Sequence, residues 1–308
     1  MMKMKQRILK LLPDRVVILL KDVRGRARAS RLQRTHPKII KEQIVNDLRN
    51  LGIQKGDVIF VHSSLKSIGF VEGGTETVID ALTEAVGPDG TLAMPCFSLT
   101  GSMVETLEHG SVFDPKRTPS AVGAITEAFR RRPDVCRSIH PTHSVCAWGA
   151  RAEWATSGHE NAGTNFGPGT PFHKIMEEGG LIVGLGIDFG PVTFVHVIED
   201  TINDFPLNVY CDKEYIATVI DNDGNEREMR VKAHDPKVAR TRIDKEEGKW
   251  IRDFLTKYLT AKGFLQRGYV GEAKTWVVKA KDLFEVQQEL LEWGLTVYTT
   301  EEQYRESI

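Results

Sequence analysis

The chain has 308 residues, 41% of them hydrophobic and 27% charged, with a formal net charge of −1. That length suits one large α/β domain or two small ones, and the near-neutral charge excludes wholesale nucleic-acid binding through a basic surface. Four cysteines (Cys96, Cys136, Cys146, Cys211) are far apart and form no CxxC pair, which fits reduced thiols in a cytoplasm better than a disulfide frame or a cysteine zinc site.

Residues 1–36 form a basic arm with apolar residues between the Lys and Arg. Asp14, Arg15, Lys21 and Asp22 interrupt the apolar run, so it reads neither as a signal peptide nor as a membrane span. Two readings stand for this helical arm. It packs on the domain or on a second copy as a homodimer, or it lies as an amphipathic helix on the inner face of an anionic membrane. From Pro37 to Leu51 apolar residues recur at helical spacing. Val58 to Val61 is a short β-branched and apolar run, the pattern of a buried strand. It stops at His62-Ser63-Ser64. Gly69, Gly73 and Gly74 then permit a tight turn, and Thr75 is placed to cap a helix over 75–86. A strand, a hydroxyl- and glycine-rich loop with one Lys and a helix start together suit an anion such as phosphate.

Gly87-Pro88-Asp89-Gly90 is a turn, and Thr91 to Met94 a second strand ending near Ser98. Residues 99–119 have no clear period, a length that points to a functional loop. A helix is expected over 120–132, a strand over 145–148, helical residues at 150–157 and another buried strand over 181–185. Residues 193–202 read as helical, and 215–220 with 227–232 as a hairpin turning at Asp221-Asn222-Asp223-Gly224. A helix over 244–261, a strand over 269–280 and a helix over 281–293 complete the chain. The order predicts a layered α/β/α domain with a mixed central sheet over 37–280. A smaller β-rich and helical C-terminal part accompanies it, and 281–308 closes the core.

His196 and Glu199, three residues apart, share one face of the 193–202 segment; a carboxylate beside a His holds its tautomer and raises its basicity. A plain His–Glu surface pair is the other reading. Glu127 sits on the 120–132 helix, where an exposed position is the simplest account. His140-Pro141-Thr142-His143-Ser144 is a loop, because Pro141 rules out the helical spacing of a zinc pair. It reads as the lining of a pocket, as structural histidines, or as the metal ligands of a hydrolase. His159 lies in a glycine-rich loop and lines the same cleft or faces solvent. Asp235, after His234 and before Pro236, reads most simply as a helix cap.

The run GDVIFVHSSLKSIGFVEGGTETVIDALTEAVGPDGTLAMPCFS at 56–98 resembles the opening of the aminoglycoside 3-N-acetyltransferase family. Four further pieces fit in order: FDP at 113–115 with PSAVGAITEAFRRRP at 119–133, RSIHPTHSVCAWG at 137–149, GPGTPFHKI at 167–175 and GGLIVGLGIDFGPVTFVHVIED at 179–200. The resemblance implies acetyl-CoA as donor, with no metal, and an amino group on a sugar as acceptor. It places coenzyme A on His62, Ser63, Ser64, Leu65, Lys66, Ile68 and Gly69, with Ser98 beside them. It makes His196 the general base with Glu199 in its motif, adds Glu127 and Asp235 as acidic positions, and leaves His140, His143, Ser144 and His159 to line the acceptor pocket. The 99–119 loop lacks the acidic, aromatic stretch that a bulky polycation calls for, which favours an amino-sugar polysaccharide precursor over an aminoglycoside. A non-enzymatic scaffold with a decayed coenzyme A loop is the alternative outside catalysis.

Overall fold

The computed structural model describes residues 37–99 and 101–307; the arm at 1–36 and its expected helix lie outside the described residues. The elements in chain order are β1 (Lys38–Ile39), α1 (Lys41–Asn50), β2 (Val58–Ser63), α2 (Leu65–Ile68), β3 (Phe70–Val71), α3 (Thr75–Val86), β4 (Thr91–Pro95), α4 (Met103–Glu108), α5 (Ala124–Phe129), β5 (Cys136–Arg137), β6 (Val145–Gly149), α6 (Ala152–Thr156), α7 (Pro171–Glu177), β7 (Leu181–Leu185), β8 (Tyr210–Ile220), β9 (Glu226–His234), α8 (Lys249–Ala261), β10 (Gln266–Val270), β11 (Ala273–Lys279), α9 (Ala280–Glu292) and α10 (Glu301–Ser307).

Seven strands form the central sheet in the order β10-β11-β7-β2-β4-β6-β5. β2 runs parallel to both β4 and β7, while β11, β10, β6 and β5 add antiparallel pairs on either side. The sheet is therefore mixed, as expected. Its central strands β2, β4 and β7 are apolar on both faces because helices cover both. Ile59, Val61, Leu92 and Val183 pack under α1, α3 and α5, whereas Phe60, Ala93 and Ile182 pack under α6, α7, α8 and α9. One-residue alternation along β2 thus serves two separate cores. Gly184 in β7 is demanded by packing: a Cβ there would meet the Trp276 ring at 2.0 Å, and the Trp276 indole N–H donates to the Ile187 carbonyl. The hairpin is a separate two-stranded ribbon, β8 with β9, which turns at Asp221 and packs against α4.

Several elements differ from expectation. Residues 193–202 form two 3₁₀ turns, Thr193–His196 and Ile198–Asp200; Thr193, Val195, Val197 and Ile198 are β-branched and disfavour a longer α-helix. The three-residue repeat of 3₁₀ structure keeps His196 and Glu199 on one side all the same. Residues 38–39 form β1 beside β3 instead of opening α1. Gly74, not Thr75, caps α3. Gly123 shortens the expected 120–132 helix to α5, and Gly248 delays α8 to Lys249. A turn at Gly271-Glu272 splits off β10. The 99–119 stretch contains α4, whose capping box joins the Ser102 hydroxyl to the Glu105 N–H and the Glu105 carboxylate to the Ser102 N–H. An S-x-x-E signature carries that signal in sequence.

Candidate active site

The end of β2 presents the first group of predicted residues. The His62 ring is buried against Phe60, with ring centroids 5.1 Å apart, and its Nε2 has no hydrogen-bond partner; burial lowers its pKa to about 3. Ser63, Ser64 and Leu65 are partly exposed and Lys66 is exposed, whereas Ile68 belongs to the core. Ser67 Oγ lies 2.9 Å from the Gly186 carbonyl and 3.0 Å from Ser64 Oγ. A hydroxyl has one proton, so Ser67 donates to the carbonyl and accepts from Ser64. Gly69 has a φ of 102°, and a Cβ there would lie 2.9 Å from Ile39 Cδ1. Ser98 Oγ donates to the Pro141 carbonyl at 2.5 Å, which ties this end of the sheet to the histidine loop. The hydroxyls and the cation at 63–66 suit phosphate and amide groups; Ile68 contributes packing and its carbonyl, which accepts from Glu272 N–H at 2.9 Å.

On the face of the sheet that carries Phe60 and His62, Phe166 and Phe172 gather five more histidines. Phe166 lies 5.1 Å from the His143 ring, 5.0 Å from His196 and 5.6 Å from His234, while Phe172 lies 6.2 Å from His159, which stacks on His140 at 4.5 Å. Burial is the chief cause holding His140, His143, His159 and His234 below the ordinary imidazole range, His140 at about 4. Neutral imidazoles can share one apolar site, which charged ones could not do cheaply.

At the centre stands Glu199. Its Oε1 accepts from His196 Nδ1 at 2.8 Å, and its Oε2 lies 3.4 Å from His234 Nε2. Burial alone would raise the pKa of this carboxyl, but the two imidazoles, His196 foremost, outweigh it and bring it to about 2. Ionised Glu199 accepts the Nδ1 proton of His196, so the lone pair of neutral His196 sits on Nε2. That is the geometry of an oriented base.

Of the four residues predicted to line a pocket, only His143 borders the cavity of about 540 Å³ that also reaches His234, Arg242 and Glu246. His140 Nδ1 accepts from the His143 and Thr142 N–H groups, and its Nε2 faces Asn165 Oδ1 at 3.2 Å. The Asn165 amide is oriented by its donation to the Lys232 carbonyl. His140 therefore has no lone pair left for an ion, which removes the metal-hydrolase reading of His140 and His143. His159 is bound through Nδ1 to Ser138 Oγ at 3.0 Å, and Ser144 Oγ donates to the Cys96 carbonyl. Both are fully buried and serve as walls behind the site.

The structure does not bring Glu127 or Asp235 to His196. The Glu127 carboxylate accepts from Arg130, Arg131 and the Ser120 N–H, on the face covered by α1 and α3. Burial would raise its pKa, but Arg130 and these donors hold it at about 2. Asp235 accepts from the Lys237 N–H at 2.8 Å and organises the turn after β9. Neighbours on a strand point to opposite sides, so it is His234 that reaches Glu199. Beyond it, Arg242 Nη1 donates to His234 Nδ1 at 3.2 Å, and the Arg242 guanidinium grips Asp244 at 2.5 and 3.0 Å. His234, Arg242 and Asp244 carry no motif of their own. A His closing a predicted hairpin is the one sequence hint.

Comparisons with known proteins agree with this architecture. The family model for aminoglycoside 3-N-acetyltransferase matches residues 60–292. Aminoglycoside N(3)-acetyltransferase VII of Streptomyces paromomycinus is 30% identical over 279 residues, covering 82% of this chain and 92% of its own. A crystal structure of aminoglycoside acetyltransferase AAC(3)-Xa superposes with a TM-score of 0.74 at 27% identity, covering 88% of this chain and 99% of its own. AAC-IIIb in a binary complex with CoASH superposes with a TM-score of 0.71 at 25% identity, covering 84% and 98%. With the sheet, the 62–69 loop and the ordered family segments all in place, the chain belongs to the aminoglycoside 3-N-acetyltransferase family and is an acetyltransferase.

Proposed function

We propose that this enzyme transfers the acetyl group of acetyl-CoA to an amino group of a sugar, with His196 as general base. The observation that carries the reading is the 2.8 Å contact from His196 Nδ1 to Glu199, which directs the Nε2 lone pair away from the carboxylate. A sugar ammonium has no lone pair and must lose a proton before it attacks a carbonyl carbon; an oriented imidazole removes that proton. Acetyl-CoA supplies the acyl carbon as a thioester. His196 Nε2 takes the ammonium proton and passes it to solvent, and the free amine attacks the acyl carbon. His196 then takes a second proton from the acylated, cationic nitrogen and gives it to the sulfur as the C–S bond breaks, so amide, thiol and one solvent proton are the products. Ser63, Ser64 and Lys66 at the strand end are proposed to hold the phosphates and pantetheine amides of the donor, with Leu65 and Gly69 shaping that loop.

The cavity at His143 and His234 is proposed to hold the acceptor. Arg240, Arg242 and Lys245 line it along with Glu246 and Glu247. Such a mixed wall suits an amino sugar of low charge, of the kind found in polysaccharide precursors, better than a polycationic aminoglycoside, which calls for carboxylates throughout. Thiol release from acetyl-CoA across amino sugars, nucleotide amino sugars and aminoglycosides tests the acceptor class; turnover confined to aminoglycosides would overturn this preference. In His196→Ala the rate with the best acceptor should fall by roughly 10²–10⁴-fold, with coenzyme A affinity preserved. A near-wild-type rate would refute the base assignment. Among the described residues no helix is long and apolar enough to cross a membrane. Peripheral attachment through residues 1–36 is a separate proposal, tested by whether their removal abolishes sedimentation with anionic vesicles.

A further inference from the structure

His196, Glu199 and His234 present a second chemical possibility. Their ligand atoms all lie within 4.8 Å of one another and all three residues are buried. Glu199 Oε2 and His234 Nε2 have no hydrogen-bond partner. Two imidazoles and a carboxylate form the donor set of many three-ligand zinc sites. Something must decide whether the trio moves protons or holds an ion.

We propose that Arg242 decides it, as a positioning residue that locks the tautomer of His234. A guanidinium has only N–H donors. Its Nη1, 3.2 Å from His234 Nδ1, therefore directs the single lone pair of the neutral imidazole to Nδ1 and leaves the proton on Nε2, facing Glu199. A metal ion needs the reverse. With the lone pair on Nε2 the proton would sit on Nδ1 and point into the Arg242 N–H. Asp244 prevents escape from that conflict by holding Nε and Nη2 of Arg242 in a two-pronged grip, itself braced by Lys245 at 2.9 Å. The same lock serves the base: with His234 fixed as an N–H donor, Glu199 faces protons from both sides, stays ionised, and orients His196. The titratable and charged groups around His234 are Glu199, His196, His143, Arg242, Asp200 and Tyr210, and Arg242 is the one whose donor meets Nδ1.

The direct test is the ¹⁵N spectrum of the wild-type histidines. His234 should show a protonated Nε2 and an unprotonated Nδ1; the opposite tautomer overturns the proposal, whatever the acetyl acceptor proves to be. In Arg242→Met, Zn²⁺ should bind in a 1:1 ratio at least tenfold more tightly than to wild type, and Co²⁺ should give the visible bands of tetrahedral coordination. Arg242→Lys, which keeps a cationic donor, should restore wild-type resistance to Zn²⁺. The rate–pH profile of Arg242→Met should also shift along the pH axis, which loss of packing alone would not cause. Stoichiometric Zn²⁺ binding by wild type that is lost in Glu199→Gln, or an Arg242→Met enzyme with unchanged Zn²⁺ affinity and an unchanged pH profile, would defeat the proposal.

Discussion

The loop at 62–69 and the cluster around Glu199 are built by opposite means. The loop is one continuous stretch, partly exposed, with its hydroxyls and Lys66 presented by a strand end and a four-residue helix. The cluster is assembled from three places, the 3₁₀ turns after β7, the end of β9 and the turn before α8; its His196, Glu199 and His234 are buried, and Arg242 and Asp244 lead from them to the surface. A binding loop can be solvated, because phosphates and amides arrive from water and each contact contributes a little. A base that must keep its tautomer is better surrounded by groups that leave it no alternative. The two regions should therefore respond to substitution in different ways, with large losses of rate in one and modest losses of affinity in the other.

The largest contrast is expected from Glu199→Gln. The amide keeps the shape but carries no charge and brings N–H donors to a place where His196 donates and His234 Nε2 stands 3.4 Å away. His196 then loses its orientation, and acetyl transfer should fall by roughly 10²–10⁴-fold, as for loss of a general base, with coenzyme A affinity little changed. Single-turnover measurement of acetyl transfer checks this. A loss of less than tenfold would mean that Glu199 is a structural partner only.

The next effect is on stability and belongs to the histidines as a group. His62 at about 3 and His140 at about 4, with His143, His159 and His234 also lowered by burial, are neutral in the fold. The unfolded chain binds their protons near pH 6.5, so between that value and the folded pKa it binds more protons than the native state. Their neutral burial thus supports the fold above about pH 6.5, and that support is lost as pH falls, by roughly 1.4 kcal/mol per pH unit each for His62 and His140. By pH 5 that is roughly 2 kcal/mol each for His62 and His140, against a total stability of about 5–15 kcal/mol, with the other three acting in the same direction. The melting temperature should drop steeply from pH 7 to 5, and His62→Phe should flatten the slope by about one proton. A melting temperature constant over that range would contradict the neutral cluster.

Much of this was legible from sequence where the signal was contiguous. The β-branched run of β2, the hydroxyl loop after it and the turn at 87–90 are local patterns, and the structure places them as read. His196 and Glu199 were found because three-residue spacing brings them together in 3₁₀ structure as well as in an α-helix. His234, Arg242 and Asp244 were not legible as partners, because nothing local says that the end of a hairpin folds back over residues 193–200. Glu127 and Asp235 show the same limit from the other side. Carboxylates next to expected elements, they are taken up by Arg130 and by the backbone of a turn. The capping box of α4 was written plainly as Ser102 and Glu105, yet it lay in a stretch rich in glycine and proline that masked a six-residue helix.

The smallest effect completes the contrast at the loop. Lys66 is an exposed side chain, and an exposed charge contact contributes about 0.2–1 kcal/mol, so Lys66→Ala should weaken coenzyme A by only about 1.4–5-fold and leave the rate at saturating donor unchanged. Ser67→Ala should act differently although it is one residue away. It removes the bond to the Gly186 carbonyl that joins this loop to the end of β7, and so should lower the melting temperature as well as affinity. Calorimetric titration of coenzyme A into both variants, with thermal unfolding of each, separates a ligand contact from a structural tie. Equal affinities for wild type and Lys66→Ala would remove Lys66 from the donor site, and the loop would then hold coenzyme A through its hydroxyls and backbone alone.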